Sequence, residues 1–166
     1  MEYNNNIPHI KNIGLQNNFH HTNKIGLAKA YQSNNSTYVD GDTMYIAGTK
    51  TAKDWYDNFT KLPFGLTKNA DRYKDAANAL KSNPQVKNLV AHSLGSSVAV
   101  ELTKQHEYNN LNVKALYASP FIDSGSKTHE NRYRHSWDII SMLDRGSKSV
   151  DIGLVDPLKA HVYDNY

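Results

Sequence analysis

The hydrophobic and polar positions of the chain fall into patterns that predict an alternation of helices and strands. Helical spacing, in which apolar side chains return every three to four residues, appears in residues 24–32, 66–82 and 96–106. Two short apolar runs, residues 86–91 and 113–118, predict buried strands. The order of these elements is helix, helix, strand, helix, strand.

A β-hairpin is predicted between the first two helices. Residues 37–39 and 44–47 have strand-forming side chains and flank Asp40-Gly41-Asp42. Glycine accepts the positive φ that a tight turn requires, which favours a hairpin here. Strands that alternate with helices are typical of a mostly parallel sheet with helices on its faces. The predicted fold class is therefore α/β.

The N-terminal segment differs from the rest of the chain. Residues 1–23 are rich in Asn and His and contain few regularly spaced apolar side chains. We expect a loosely structured arm over these residues. The total length of 166 residues suits one domain, so we expect a single α/β domain over residues 24–166.

Composition narrows the classes of function. Lys and Arg total 19 against 16 Asp and Glu, a net charge of +3, and they are scattered. This balance fits weak attraction to anionic surfaces and not a nucleic-acid interface. The chain has no cysteine, which excludes thiolate zinc sites and cysteine nucleophiles. His9, His20 and His21 have no partner at metal spacing, and Gly-rich phosphate loops are absent. Neither a metal nor another cofactor is therefore expected.

The sequence also bears on location. No apolar run approaches the ~20 residues of a membrane-spanning helix, and the N-terminus lacks the pattern of a signal peptide. We therefore expect a soluble protein. The sequence leaves its compartment and oligomeric state open.

The stretch Ala91-His92-Ser93-Leu94-Gly95 joins a predicted strand to a predicted helix. A small-x-Ser-x-Gly pattern in this context predicts a nucleophile elbow, a sharp turn that carries a reactive serine. Ala91 and Gly95 are small enough for such a turn. The helix start directs N–H groups, including that of Leu94, towards a developing oxyanion. We interpret His92 as a packed or hydrogen-bonding neighbour and not as the general base.

With the upstream motif Ala47-Gly48-Thr49 and Asp54-Trp55, the chain resembles the class 3 (fungal-type) lipase family of α/β-hydrolases. The resemblance covers residues 37–166 and includes the elbow at Ser93 and three later blocks. These blocks are Tyr117-Ala118-Ser119-Pro120, Asp138-Ile139-Ile140-Ser141 and His161-Val162-Tyr163-Asp164-Asn165-Tyr166. The chain departs from the family in being much shorter, which implies a trimmed lid, and in having Ala47 where Arg or His is common.

The resemblance implies a role for each matching residue. Ser93 would be the nucleophile and Asp138 the acid, and Thr49 would join Leu94 in the oxyanion hole. Residues 50–62 would form the lid or its remnant, in which Trp55 and Phe59 face a lipid chain. No metal or organic cofactor is implied.

The acid and the base also follow from what a serine nucleophile needs. An imidazole must take the serine proton, and a carboxylate must orient that imidazole. In α/β-hydrolases the chain order is serine, acid, histidine, which His161 satisfies as the last histidine. Alternatives remain for the acid, with Asp123 the strongest, and His129 and His135 are rival bases. The weaker acid alternatives are Asp144, Asp151 and Asp156.

These observations predict a small serine hydrolase that acts on carboxylic esters of lipids. Acylglycerols and phospholipids both fit, and the basic surface favours an anionic phospholipid interface, hence a phospholipase A1-type activity. Two alternatives stay open. One is a catalytically inactive binding or structural module on the same fold, for example a component of a virus particle. The other is a thioesterase or peptidase.

Overall fold

The computed structural model describes residues 8–49, 69–117, 131–134 and 148–149. The helices in these residues are α1 (Pro8–Gln32), α2 (Asn69–Ser82) and α3 (Leu94–Lys104), followed by a 3-10 turn at His106–Tyr108. The strands are β1 (Thr37–Asp40), β2 (Thr43–Ile46), β3 (Asn88–His92), β4 (Asn112–Tyr117), β5 (Arg132–Arg134) and β6 (Lys148–Ser149).

The strands form one six-stranded sheet in the order β1-β2-β3-β4-β5-β6. β1 and β2 are antiparallel, and every later pair is parallel. The predicted hairpin is confirmed: Asp40 pairs with Thr43, and Gly41 has a φ of 56°. A mostly parallel sheet flanked by helices confirms the predicted α/β class.

One face of the sheet packs against α2 and α3 through hydrocarbon side chains, and we call it the apolar face. Each fully buried Leu or Val side chain contributes roughly 1.5–3 kcal/mol relative to an exposed one. The strands contribute Met44, Ile46, Leu89, Ala91, Val113 and Leu116, and the helices contribute Ala76, Leu80, Val98, Ala99, Val100 and Leu102.

The opposite face packs against α1, and we call it the α1 face. Leu27 and Ala30 of α1 are buried there, and Gly26 lies so close that a Cβ atom would be 2.2 Å from the ring of Tyr45. Aromatic side chains are more frequent here than on the apolar face. The strand residues of this face are Tyr45, Ala47, Val90, Ala115 and Tyr117.

An irregularity in β4 distributes its side chains between the two faces. Leu89 pairs with Val113, but Val90 pairs with Ala115, so Lys114 is extra. Lys114 is exposed, and its Nζ donates to Thr43 Oγ1 at 3.3 Å. Because of this bulge, the last residue of the strand, Tyr117, points to the α1 face.

The expectation of a loosely structured arm is wrong for the described part of that segment. A single helix runs from Pro8 to Gln32 and includes the 24–32 helix that the spacing predicted. The middle of this helix is held through polar side chains: His20 and Asn23 both bond to the hydroxyl of Tyr117. These contacts join residues more than ninety positions apart, so no local apolar period reveals them.

None of the helices in the described ranges is both long enough and apolar enough to cross a membrane.

Candidate functional site

Ser93 occupies the turn between the end of β3 and the start of α3. Its backbone has φ 52° and ψ −127°, a conformation that side-chain-bearing residues rarely adopt. Such a conformation costs roughly 1–3 kcal/mol and persists only where the surrounding structure imposes it. Among the described non-glycine residues, Ser36 alone shares a positive φ. The strand-to-helix turn thus has the geometry of a nucleophile elbow.

Two glycines allow the chain to approach this turn closely. A Cβ atom on Gly95 would lie 2.4 Å from the carbonyl oxygen of Ile46 in the neighbouring strand. A Cβ atom on Gly48 would lie 2.7 Å from Cβ of Ser93. Only glycine fits at either position without movement of the backbone. The turn that follows β2 therefore lies directly against Ser93.

Backbone hydrogen bonds hold the elbow in place. The N–H of Ser93 donates to the carbonyl of Tyr117 at 2.8 Å, and the Ser93 carbonyl accepts from the N–H of Ser96 at 2.9 Å. The Ser93 side chain makes no capping bond to α3, and the residue as a whole is 2% exposed. The N–H groups of Leu94 and Gly95 lie in the first turn of α3, where a helix has no acceptor of its own and carries partial positive charge.

The Gly48–Thr49 turn is held by side chains from two helices. The Gly48 N–H donates to Tyr31 Oη of α1 at 3.1 Å. Nη1 of Arg72, from α2, donates to the carbonyl of Ala47 at 2.9 Å and also to that of Gly48. Burial lowers the pKa of Arg72, yet a guanidinium remains charged at any physiological pH. Thr49 follows, half-buried.

His92 lies next to Ser93 in sequence, but its ring faces α1. Its Nδ1 is 2.7 Å from Tyr31 Oη, and the two rings meet edge to face. The interpretation of His92 as a hydrogen-bonding neighbour is confirmed. Tyr31 Oη therefore joins the residue before Ser93 to the N–H of Gly48.

A second polar cluster surrounds Tyr117 at the end of β4. Its hydroxyl is 2.7 Å from His20 Nδ1 and accepts from Asn23 Nδ2 at 3.0 Å. The Tyr117 ring stacks on Tyr133 with 5.5 Å between centroids. Burial raises the pKa of Tyr117 and lowers that of His20. Both groups are thereby favoured in their neutral forms.

The structure brings together Ser93, Leu94 and the turn that contains Thr49. The predicted acid Asp138, the predicted base His161 and the predicted lid residues Trp55 and Phe59 lie outside the described residues. The alternative acids and bases also lie outside them, namely Asp123, Asp144, Asp151, Asp156, His129 and His135.

Two residues beside the site, Tyr31 and Arg72, were not anticipated from the sequence. Each lies on a helix whose apolar spacing predicts only which side packs on the sheet. Their contacts with Ala47 and Gly48 join separate elements, and no motif encodes them. In the described ranges, no cluster of His, Asp and Glu is suited to hold a metal ion.

Comparisons with protein-family models, with curated proteins and with solved structures found no match to this chain. The interpretation of the site therefore depends on its geometry and on the motifs in the sequence.

Proposed function

We propose that this chain is a serine hydrolase that cleaves carboxylic esters of lipids, with Ser93 as its nucleophile. The observation that supports the proposal most strongly is the backbone of Ser93, with φ 52° and ψ −127° between a parallel strand and a helix. Backbone strain of this kind is concentrated at active sites and ligand-binding sites. A nucleophile elbow gains a side chain presented at the carboxyl edge of the sheet.

The proposed reaction proceeds through an acyl-enzyme. Ser93 Oγ attacks the ester carbonyl while His161 takes the hydroxyl proton, and Asp138 orients and stabilises the imidazolium. The N–H groups of Thr49 and Leu94 bind the oxyanion of the tetrahedral intermediate. The alcohol leaves with the proton from His161, and water then attacks the acyl-enzyme by the same route to release the acid.

The contacts around Ser93 support the two oxyanion donors. Leu94 begins α3 directly after Ser93, so its N–H belongs to the positive end of that helix. Gly48 is packed against the Cβ of Ser93, and Thr49 is the next residue in the chain. Two convergent donors at a water-poor site are worth several kcal/mol to the transition state, since each one removed costs ~3–4 kcal/mol.

The proposed substrates are acylglycerols or phospholipids. The resemblance of the sequence blocks to class 3 lipases supports a lipid ester, and a net charge of +3 favours an anionic interface. Within this class we propose a phospholipase A1-type activity. A panel of phosphatidylglycerol, phosphatidylcholine and triacylglycerol, with product positions assigned, decides among them. Thioester and peptide substrates in the same panel test the alternative reaction types.

The nucleophile is tested by labelling with a fluorophosphonate probe. We expect the wild type to be labelled and Ser93→Ala not to be. Ser97→Ala is the matched control, because it removes a hydroxyl from α3, four residues after Ser93, and leaves Ser93 in place. Labelling of Ser93→Ala at the wild-type rate would refute Ser93 as the nucleophile.

Ester turnover tests the partners of Ser93. We expect His161→Ala to abolish turnover and Asp138→Asn to reduce it by about 10⁴-fold, the loss known for the acid of such triads. Asp123→Asn and His135→Ala examine the alternative pair. If turnover is abolished only by Asp123→Asn and His135→Ala, these two residues become the acid and the base, and Ser93 remains the nucleophile.

The low exposure of Ser93, 2%, favours a second candidate function. A module that keeps the fold for binding or assembly has no need to admit substrate to the serine. This candidate predicts neither labelling nor turnover in the wild type, even in the presence of lipid vesicles.

A further inference from the structure

We propose that Arg72 and Tyr31 are positioning residues that fix the Gly48–Thr49 peptide as the second oxyanion donor beside Ser93. This proposal rests on the proposed function, because the peptide has a catalytic role only if Ser93 is a nucleophile. Neither residue touches the substrate. Both act through the backbone of the turn that follows β2.

Arg72 determines which way the peptide faces. Its guanidinium donates to the carbonyl oxygens of Ala47 and Gly48. The peptide bonds of the described residues are trans, and in a trans peptide the C=O and the following N–H point in opposite directions. The bond to the Gly48 carbonyl therefore fixes the Thr49 N–H on the side away from Arg72.

Tyr31 determines which amide of the turn is left to act. Its hydroxyl accepts the Gly48 N–H at 3.1 Å, which removes that amide from competition for the oxyanion. The next amide in the chain is that of Thr49. The same hydroxyl is 2.7 Å from Nδ1 of His92, the residue directly before Ser93. The oxyanion turn and the nucleophile are thus joined through one side chain.

The hydrogen bonds from Arg72 are strong enough to hold the turn because they lie where little water reaches. Ala47 is fully buried, and Arg72 is partly desolvated, as its lowered pKa indicates. Hydrogen bonds from a charged donor are roughly twice as strong as neutral ones, and they gain further where water is scarce. Without the guanidinium, two carbonyls would lose their donor and the peptide would be able to rotate.

The experiment compares Arg72→Met, Arg72→Lys and Tyr31→Phe in the full-length chain. Methionine keeps the aliphatic stem and loses the donors, whereas lysine keeps one charged donor. Phenylalanine keeps the ring against His92 and loses only the hydroxyl. Tyr38→Phe is the matched control, because it removes a hydroxyl that bonds Lys29 at the α1–β1 contact. Thermal unfolding of each variant verifies the fold.

We expect kcat on a short-chain nitrophenyl ester to fall by about 10²-fold in Arg72→Met, as when one oxyanion donor is lost. Tyr31→Phe should lose about tenfold and Arg72→Lys an intermediate amount, since each keeps part of the restraint. KM should hardly change, because the ground-state carbonyl needs the donor less than the oxyanion does. Tyr38→Phe should keep wild-type kcat.

The affinity for an alkyl trifluoromethyl ketone is a second measurement, and a loss of stability alone would not change it in the same way. Ser93 Oγ adds to its carbonyl carbon, the π electrons move to oxygen, and the serine proton passes to the base. Its affinity should weaken by the same factor as kcat/KM. A non-reactive amide of the same chain length should bind all variants equally.

The possible results separate the two proposals. If the wild type is labelled at Ser93 but both Arg72→Met and Tyr31→Phe keep full kcat, the positioning role is wrong and the proposed function stands. If the wild type neither hydrolyses esters nor reacts with the fluorophosphonate, the proposed function and the positioning role both fail. Should Arg72→Met not fold, Tyr31→Phe decides the question by itself.

Discussion

The two faces of the sheet are covered by helices in different ways. On the apolar face, α2 and α3 meet the strands through hydrocarbon side chains such as Leu89 and Leu102, both fully buried. On the α1 face, hydrogen bonds accompany the packing, and Tyr117 bonds His20 and Asn23 of α1. Ser93 lies at the border, because α3 begins at the next residue and its neighbour His92 faces α1.

The two faces of the sheet therefore contribute differently to the structure. Hydrocarbon packing contributes most of the free energy of folding but does not fix the orientation of a polar group. Hydrogen bonds contribute less each, yet they are directional and fix the groups that they join. The α1 face thus fixes Gly48 through Tyr31, while the apolar face supplies stability to the strands that carry both.

The largest expected effect on stability is on the apolar face. Leu89→Ala removes a fully buried side chain from β3 and should lower the free energy of unfolding by about 2–5 kcal/mol. Leu15→Ala makes the same change at a position that is 67% exposed and should cost less than about 0.5 kcal/mol. Chemical denaturation of the two variants measures both. Equal losses would contradict the assignment of stability to this face.

Gly95→Ala tests the border between the faces and should cost about 2–3 kcal/mol, the upper part of the range for overpacking. The added Cβ would lie 2.4 Å from the Ile46 carbonyl, a backbone atom that no side-chain change can remove. Gly26→Ala instead meets the ring of Tyr45 at 2.2 Å, so adding Tyr45→Leu should restore stability. If truncation of a side chain near Ile46 also restores the stability of the Gly95→Ala variant, the contact with the Ile46 carbonyl is not the cause of its destabilisation.

Whether the sequence predicts a feature of the fold or of the site depends on how far apart in the sequence the interacting residues lie. The Asp40-Gly41-Asp42 turn and the passage through Ser93 are local signals, since the residue types required lie within a few positions. The Tyr117 cluster has no such signal, because its partners lie more than ninety residues apart. Without such a signal, the Asn- and His-rich composition of residues 1–23 predicts a loose arm. The contacts of Arg72 with Ala47 and Gly48 join separate elements, 25 and 24 positions apart, and also have no local signal.

The polar contacts of the α1 face should contribute less than the packing on the apolar face. Tyr117→Phe keeps the ring on Tyr133 but leaves buried Asn23 without its acceptor, at a cost of roughly 1–2 kcal/mol. Adding Asn23→Ala should recover part of that loss, since the second change removes the stranded donor. Denaturation of the single and double variants gives the coupling energy. A coupling energy of zero would mean that this hydrogen bond does not hold α1.

The smallest expected effect is a dependence of stability on pH that originates at His20. Burial lowers its folded-state pKa below the ordinary value of 6.5. As pH falls through 6.5, the unfolded chain therefore takes up a proton that the folded chain does not, and stability declines. The decline should stop once the pH has passed below the folded-state pKa, where both states are protonated.

Denaturation midpoints between pH 7.5 and pH 5, run on wild type and His20→Asn, isolate this contribution. The difference in unfolding free energy between the two proteins should shrink as the pH falls, because only the wild type has to leave an imidazole neutral beside Tyr117. His21→Asn makes the same change at an exposed neighbour and serves as the control. A difference that grows on acidification would mean that the cluster favours the charged imidazole, so that burial would not be what sets the pKa of His20.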